Sequence, residues 1–304
     1  MIIYDNLSAG HRQAAVGLEF VEGDVHDVGL LREVMRRYRV SAVMHFAAWL
    51  SVGDSVNDPA GYYANNVGGT LALLEAMKRE TVPHLVFSST AAVFGEPERL
   101  PIAEDHPTRP INPYGQTKLA IEQALPHYAR AYGLQWVALR YFNAAGADPG
   151  GQLGEDHRPE IHLIPRAIDA ATGGRPLQVF GDDYPTPDGT CLRDYIHVTD
   201  LADAHRLALE WLERGGASTV YNLGNGQPCS VRHVIETVAG VTGRRVAWDV
   251  APRRAGDPAV LYASHARIQG ELGWRPRFAE LQTIVETAWR WHREHPHGYG
   301  TEER

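Results

Sequence analysis

The apolar positions in the first half of the chain alternate between short continuous runs and stripes at helical spacing. The runs predict buried strands at 1–4, 18–21, 42–46, 84–88 and 136–140. The stripes predict helices over 28–38, 59–78 and 113–132. Strands that alternate with helices of this length indicate a doubly wound parallel sheet with helices on both faces.

The pattern changes after Asn143. Two segments rich in glycine, proline and acidic residues, 147–159 and 181–189, predict loops long enough to carry function. Shorter elements are predicted around them, with helices near 163–172, 201–214 and 231–242 and strands near 220–223 and 246–248. We therefore expect a Rossmann-like α/β domain over 1–144 and a smaller mixed α/β domain over 145–304, some segments of which return to the first domain.

Composition narrows the class of protein. A hydrophobic fraction of 44% with 22% charged residues is typical of a globular chain, and the formal charge of −8 argues against a nucleic-acid binder. The two cysteines, Cys191 and Cys229, are too few for a disulfide framework, so we expect reduced thiols in a cytoplasmic protein. The start of the chain is not a signal peptide, no apolar run is long enough to cross a bilayer, and we predict no metal site.

Three predicted strands end in residues that suit a nucleotide cofactor. Asp5 follows the first strand, where a carboxylate can accept hydrogen bonds from an adenosine ribose, and Asp24 follows the second, near a possible adenine. His45-Phe46-Ala47-Ala48 closes the third, with small residues that let a ligand approach the backbone. Each feature alone is equally consistent with a turn carboxylate or a packing position.

A Tyr-x-x-x-Lys pattern on the helix 113–132 gives the strongest chemical signal. The spacing places Tyr114 and Lys118 one turn apart on the same face. A neighbouring ammonium lowers the pKa of a phenol from about 10, which would let Tyr114 act as a general base on a sugar hydroxyl. Thr90 follows a strand and could share that proton. The alternatives are a solvated helix pair and a turn-capping threonine.

Several residues in the second half suit a nucleotide sugar. Arg193 and Arg254 could grip a pyrophosphate with their forked donors. Phe180 and Tyr195 could flank a uracil ring. Taken singly, each arginine is also consistent with a surface charge and each aromatic with a core position.

In this order, the segments resemble those of UDP-galactose (UDP-glucose) 4-epimerases, members of the extended short-chain dehydrogenase/reductase family. The resemblance covers nearly the whole chain. The matching segments are 5–8, 22–24, 45–48, 63–67, 87–90, 113–118, 139–143, 154–156, 180–186, 193–198 and 221–224.

The resemblance implies NAD as a tightly held cofactor and a UDP-sugar as substrate, with Tyr114, Lys118 and Thr90 as the catalytic residues. It places these residues on NAD: Asp5, Asn6, Asp24, Val25, Phe46, Ala47, Ala48, Asn65, Tyr114, Lys118 and Phe142. It places these residues on the UDP-sugar: Thr90, Tyr141, Asn143, His162, Leu163, Gln178, Phe180, Arg193, Tyr195, Arg254, Asp257 and Leu261. It also implies a homodimer formed through the helices 59–78 and 113–132.

The chain departs from the family pattern at a few points. Thr90 stands where many members have serine, and Leu50 where some have lysine. His162 stands where some have asparagine, and Leu261 where a bacterial member has tyrosine, which would leave room for an N-acetylated sugar. Members begin with a strand, a glycine-rich phosphate loop and a helix, so we expect about 25 residues of this kind to be missing before residue 1.

Other functions stay open. A nucleotide-sugar 4,6-dehydratase commonly has Asp-Glu after the threonine, whereas Ala91-Ala92 follows Thr90 here. Epimerases of UDP-xylose, UDP-glucuronate or UDP-N-acetylhexosamine would share most of the pattern. From another class, the chain could be a non-catalytic UDP-sugar-binding remnant.

Overall fold

The computed structural model of the protein describes residues 1–254 and 257–300. Within these residues the strands are β1 (Ile2–Asp5), β2 (Glu19–Glu22), β3 (Ala42–His45), β4 (His84–Thr90), β5 (Gln135–Tyr141), β6 (Asn143–Ala145), β7 (Leu177–Phe180), β8 (Leu192–Arg193), β9 (Tyr195–His197), β10 (Thr219–Leu223), β11 (Cys229–Ser230), β12 (Trp248–Ala251) and β13 (Val260–Leu261). The α-helices are α1 (Val28–Arg37), α2 (Val52–Asn57), α3 (Pro59–Tyr62), α4 (Gly69–Arg79), α5 (Pro113–Tyr132), α6 (Leu163–Ala171), α7 (Val198–Glu213), α8 (Val231–Thr242), α9 (Ala266–Leu272) and α10 (Leu281–Glu294). None of the described helices has the length and apolarity needed to cross a membrane.

The main sheet has the strand order β10-β5-β4-β3, and every neighbouring pair in it is parallel. A second parallel pair is formed by β1 and β2. In the register of β4 with β5, Thr90 lies opposite Tyr141, so the carboxyl ends of these strands meet at one edge. The prediction of a parallel α/β fold is confirmed.

The main sheet is buried on both faces. Phe87 of β4 packs with Leu74 of α4 and Leu125 of α5 on one face. On the other face the next residue back, Val86, lies in a cluster with Ala204 of α7 and Trp274. Neighbouring residues of a strand point to opposite faces, so continuous apolar runs such as 85–87 belong in a strand covered on both sides.

The second half of the chain contributes to two cores. It returns to the main sheet through β10, which pairs with β5, and through α7. It also builds a core of its own, in which Ile164 of α6, Val234 of α8 and Ile284 of α10 pack together. Both loops predicted from composition, 147–159 and 181–189, contain no helix or strand.

The predicted helix 59–78 is interrupted. It consists of α3, a π-helical turn (Tyr63–Gly68) and α4. The amide of Asn66 in the π-helical turn accepts a bond from the backbone N–H of Trp49 at 2.8 Å and donates to the Trp49 carbonyl at 3.0 Å and to Thr117 Oγ1 at 3.2 Å. Asn66 thus connects its own segment with those of Trp49 and Thr117. π-helical turns within α-helices often occur at functional sites.

A buried ion pair fixes α5 against the main sheet. Arg140 of β5 and Glu122 of α5 are each 6% exposed, and Arg140 Nε lies 3.0 and 3.1 Å from the two carboxylate oxygens. Ser89 of β4 donates to the same carboxylate, and the guanidinium lies 5.0 Å from the centre of the Phe94 ring. Two strands and the helix are therefore joined at one carboxylate.

We expect Glu122→Leu and Arg140→Met, made singly, each to lower the free energy of unfolding by about 3–5 kcal/mol, because each leaves a buried charge without its partner. The double variant should recover most of that loss, since two apolar side chains replace the pair. Urea unfolding of the four proteins measures this. Additive losses in the double variant would contradict the assignment of the pair as a coupled unit.

Candidate active site

A cavity of about 1390 Å³ opens at the carboxyl ends of β3, β4 and β5. Pockets for one small ligand usually measure ~300–1,000 Å³, so this cavity has room for more than one. Ligands of open parallel sheets bind at this edge. The predicted site residues that line the cavity are Phe46, Ala48, Thr90, Tyr114, Lys118, Tyr141, Phe142, Asn143, His162, Arg193, Arg254, Asp257 and Leu261.

The start of α5 is held close to the end of β4. Asn112 caps the helix, because its Oδ1 accepts from the Gly115 N–H at 2.8 Å, and Pro113 occupies the first turn. A Cβ atom on Gly115 would come within 2.5 Å of the Ala92 carbonyl oxygen. Glycine at this position therefore lets the helix approach the turn after Thr90, and Tyr114 comes with it.

The phenol, the threonine and the lysine converge at the cavity. The Thr90 side chain lies close enough to the Tyr114 hydroxyl to lower the pKa of the phenol, and both side chains line the cavity. Lys118, only 3% exposed, donates from Nζ to the Ser88 carbonyl at 2.8 Å and lies 5.0 Å from the centre of the Phe87 ring. The predicted convergence of Tyr114, Lys118 and Thr90 is present in the structure.

Burial is the largest influence on the pKa of both Tyr114 and Lys118. Burial raises the pKa of Tyr114 above its usual value and Tyr141 raises it further, while the hydrogen bond with Thr90 lowers it. Burial lowers the pKa of Lys118 to about 8, although Glu122 raises it in part. Burial is the largest cause of both shifts, and the lowering of the phenol pKa by Lys118 stays a prediction.

The carboxylates predicted for the cofactor lie together at the ends of β1 and β2. Asn6 Nδ2 donates to Asp24 Oδ2 at 2.8 Å, and Asp5 Oδ1 accepts from the Leu7 N–H at 2.7 Å. His26 connects this group to the π-helical turn, since its ring lies 2.6 Å from Asp24 and 3.0 Å from the Ala64 carbonyl. The predicted cofactor residues that lie outside the lining of the cavity are Asp5, Asn6, Asp24, Val25, Ala47 and Asn65.

Positive charge lines the opposite wall of the cavity. Arg193 forms an ion pair with Asp257. Arg254 lies 3.8 Å above the centre of the Phe180 ring, and burial lowers its pKa while Asp257 raises it. The arginines predicted for a pyrophosphate thus face the same space as Tyr114.

Other predicted substrate residues lie elsewhere. The ring of Tyr195 is packed in the second-half core, so the prediction that it flanks a uracil is wrong. Its position on the short strand β9 accounts for this, because apolar side chains of the second-half core surround the ring. Leu163 also packs against that core, and Gln178 is exposed on β7.

Some residues that line the cavity are not among the predicted site residues. Ser88 lies at the wall and hydrogen-bonds to the Tyr141 hydroxyl. Glu155 and His157, from the loop before α6, also line it. Glu155 belongs to the segment 154–156 that matches the family, but the loop has no periodicity that predicts where its side chains lie.

The comparisons with known proteins agree with this geometry. Residues 1–224 match the model of the "NAD dependent epimerase/dehydratase family". The chain belongs to this family. It is 53% identical to a UDP-glucose 4-epimerase of Halalkalibacterium halodurans over 305 residues, which cover 100% of this chain and 91% of the relative.

Solved structures of similar proteins lead to the same family. The UDP-glucose 4-epimerase of Brucella ovis, solved with NAD, matches with a TM-score of 0.93 and 53% identity over 95% of this chain and 89% of that one. The enzyme of Bifidobacterium longum, solved with NAD⁺ and UDP, matches with a TM-score of 0.92 and 37% identity over 98% of this chain and 92% of that one. The expectation that a strand, a glycine loop and a helix are missing before residue 1 gains no support from matches of this coverage.

The lowered pKa of Lys118 predicts a pH-dependent stability. Between pH 8 and about 10.4, where unfolded lysine titrates, the unfolded chain holds this proton and the folded chain does not. The free energy of unfolding should therefore rise with pH in this window, relative to a Lys118→Met variant, by about 1–3 kcal/mol. Urea unfolding of both proteins at pH 7.5, 8.5 and 9.5 measures it, and parallel curves would contradict it.

Proposed function

We propose that the protein interconverts UDP-glucose and UDP-galactose by oxidation and re-reduction at C4 of the sugar, with NAD as its cofactor. The observation that carries this proposal is the convergence of Tyr114, Thr90 and Lys118 at a cavity on the carboxyl edge of the parallel sheet. Membership of the epimerase/dehydratase family supports the same reaction class.

The residues at the strand ends fit a dinucleotide. The cavity is larger than one small ligand needs, Phe46 offers an aromatic surface that is 55% exposed, and Asp5 and Asp24 supply acceptors for ribose and adenine groups. The residues proposed to hold NAD are Asp5, Asn6, Asp24, Val25, Phe46, Ala47, Ala48, Asn65, Tyr114, Lys118 and Phe142. When bound, the oxidised dinucleotide accepts hydride from the sugar carbon and returns it, so the reaction has no net redox change.

The proton of the sugar 4′-hydroxyl moves to Tyr114. Thr90 lies beside the phenol, and its hydroxyl would join the sugar oxygen and Tyr114 in one chain of hydrogen bonds. Lys118, with a pKa of about 8, keeps its positive charge at neutral pH and favours the phenolate one helical turn away. Because Ser88 fixes the ammonium through its carbonyl, the charge does not need to reorganise during turnover.

The UDP-sugar lies against the second half of the chain. Arg193 and Arg254 bind the pyrophosphate, and Phe180, under the Arg254 guanidinium, lies near the nucleoside. The remaining residues proposed for the substrate are Thr90, Tyr141, Asn143, His162, Leu163, Gln178, Asp257 and Leu261. In this division, residues 1–144 form the NAD-binding domain and residues 145–304 the UDP-sugar-binding domain, some segments of which return to the first. Thr90, Tyr141 and Asn143 contact the sugar nucleotide from the first domain. The cytoplasmic location stays a prediction.

The alternatives differ in what they require of the site. A 4,6-dehydratase needs an acid and a base after the threonine, but Ala91 and Ala92 form a 3₁₀ turn (Ala91–Val93) there. Epimerases of UDP-xylose, UDP-glucuronate or UDP-N-acetylhexosamine use the same chemistry, and Leu261 at the cavity wall leaves room for an N-acetyl group. A non-catalytic UDP-sugar-binding protein would hold no NAD.

We expect Tyr114→Phe to lower kcat for UDP-galactose by at least about 10²–10⁴-fold, because the general base is lost. The variant should co-purify with as much NAD as the wild type, measured by absorbance and mass spectrometry. Turnover is followed by the UDP-glucose formed.

Tyr132→Phe is the matched control, since Tyr132 lies on the same helix, is 58% exposed and should retain full activity. Wild-type protein without NAD and without turnover would instead favour the non-catalytic alternative. Turnover that survives in Tyr114→Phe would rule out Tyr114 as the base.

We further propose a homodimer formed through the segment 59–78 and α5. Both carry apolar side chains in solvent, with Tyr63 41%, Leu71 39% and Tyr132 58% exposed. Lys78 lies 5.2 Å from the centre of the Tyr132 ring, so the two segments share one surface. Large exposed apolar side chains that adjoin in this way are typical of interfaces.

Light scattering should give twice the chain mass of 33.6 kDa for the wild type. Leu71→Glu should shift the population towards the monomer, because it buries a charge in the interface without a partner. Val250→Glu, at a residue 50% exposed on β12, is the control and should stay dimeric. A monomeric wild type would refute the proposed interface.

A further inference from the structure

Four side chains meet on the loop before α6, and of these only His162 is also proposed to contact the UDP-sugar. Glu155, His157, Glu160 and His162, here called the 155–162 cluster, each offer one atom within 4.8 Å of all the others. His162 Nδ1 lies 2.6 Å from Glu155 and 3.0 Å from Glu160. His157 Nδ1 lies 3.2 Å and 3.6 Å from the same two carboxylates.

One buried nitrogen of the 155–162 cluster has no hydrogen-bond partner in the part of the chain that the structure describes. His157 Nδ1 is buried and has no hydrogen-bond partner among the described residues, although two carboxylate oxygens lie nearby. Within 1–254 and 257–300, Glu155 and Glu160 form ion pairs only with the two histidines, and no lysine or arginine neutralises them. Buried charges in proteins are either paired or coordinate a metal, and two imidazoles with two carboxylates are suited to both.

We propose that the 155–162 cluster binds one divalent transition-metal ion, with Zn²⁺ as the best match. Two imidazole nitrogens and two carboxylate oxygens form a donor set that Zn²⁺ accepts in tetrahedral geometry. Metal–ligand distances of about 2.0–2.2 Å place the donor atoms ~3.3 Å apart. The nitrogen–oxygen distances of 2.6–3.6 Å in the cluster lie around this value. The proposal replaces the sequence-based prediction of no metal site.

The surroundings of the cluster hold it in position. Glu160 Oε1 accepts from the backbone N–H groups of Ile161 and His162, both at 2.8 Å, which orients the carboxylate. The loop is held from outside by Asp156, which accepts from the Tyr299 N–H at 3.0 Å and whose carbonyl lies 3.0 Å from His11 Nε2. Outer contacts of this kind keep ligands oriented in metal sites.

The position of the cluster gives the ion a role at the cavity. Glu155, His157 and His162 line the cavity, which also provides a path for the ion to enter. A histidine that binds metal through Nδ1 keeps its proton on Nε2. The ion therefore fixes His162 as a hydrogen-bond donor on the cavity wall and ties eight residues of the loop together. The proposal does not depend on the sugar that the enzyme prefers.

The test uses the full chain without an affinity tag. Protein stripped with EDTA and dialysed is titrated with Co²⁺, whose visible absorption reports tetrahedral coordination, and with Zn²⁺ against a chromophoric chelator. Metal content is measured by plasma mass spectrometry. We expect one ion per chain, and a melting temperature that rises with Zn²⁺ because only the folded chain contains the site.

His157→Ala and Glu160→Gln should each weaken Zn²⁺ binding by about 100-fold or more and abolish the rise in melting temperature. His127→Ala, at an exposed histidine of α5, is the control and should bind as the wild type does. If His157→Ala does not fold, the Glu160→Gln variant and the Co²⁺ spectrum of the wild type still test the proposal. Wild-type protein that binds no ion, or binds it as well after either substitution, would overturn the proposal.

Discussion

The carboxylate of Glu122 is the point on which the geometry of the site depends. It receives the guanidinium of Arg140 from β5 and the hydroxyl of Ser89 from β4, and it is buried. A charge removed from water stays in place only if its partners are fixed, so the pair holds one position of α5 against the two strands. Because Lys118 and Tyr114 precede Glu122 by one and two turns, that position also sets where the ammonium and the phenol lie.

The same burial determines how the site can work. A dry environment opposes charge on both groups, so the phenol pKa is raised and the lysine pKa is lowered. Neither group gains its reactive charge from the other alone. A charge that a ligand brings into the cavity interacts strongly with both groups, because the protein interior screens it poorly. In the proposed mechanism this couples the acidity of Tyr114 to occupation of the cavity, so that proton transfer is favoured only when cofactor and substrate are bound.

Local patterns in the sequence predicted much of this fold, and for physical reasons. Continuous apolar runs mark strands covered on both faces. The predicted bounds of α5 agree with the observed ones, because Asn112-Pro113 begins the helix and Gly133 ends it. The break at Tyr63–Gly68 could not be predicted, since it depends on Asn66 reaching Trp49 and Thr117. The Tyr114–Lys118 pair follows from helical spacing, and Thr90 from its place after a strand together with the family resemblance. The core position of the Tyr195 ring follows from long-range packing.

The 155–162 cluster likewise depends on long-range contacts that a local sequence pattern does not reveal. Its ligands stand at intervals of two, three and two residues, a spacing that matches no regular helix or strand and gains meaning only when the loop is folded. The loop is folded by distant residues, namely His11 near the start of the chain and Tyr299 near the end of the described part. An ion held there would therefore connect both ends of the chain to the wall of the cavity. Glu122 holds α5, the helix that carries Tyr114 and Lys118, and the cluster would hold the part of the wall formed by the second half of the chain. Two separate charged centres would thus position the proposed reacting groups and the wall of the cavity.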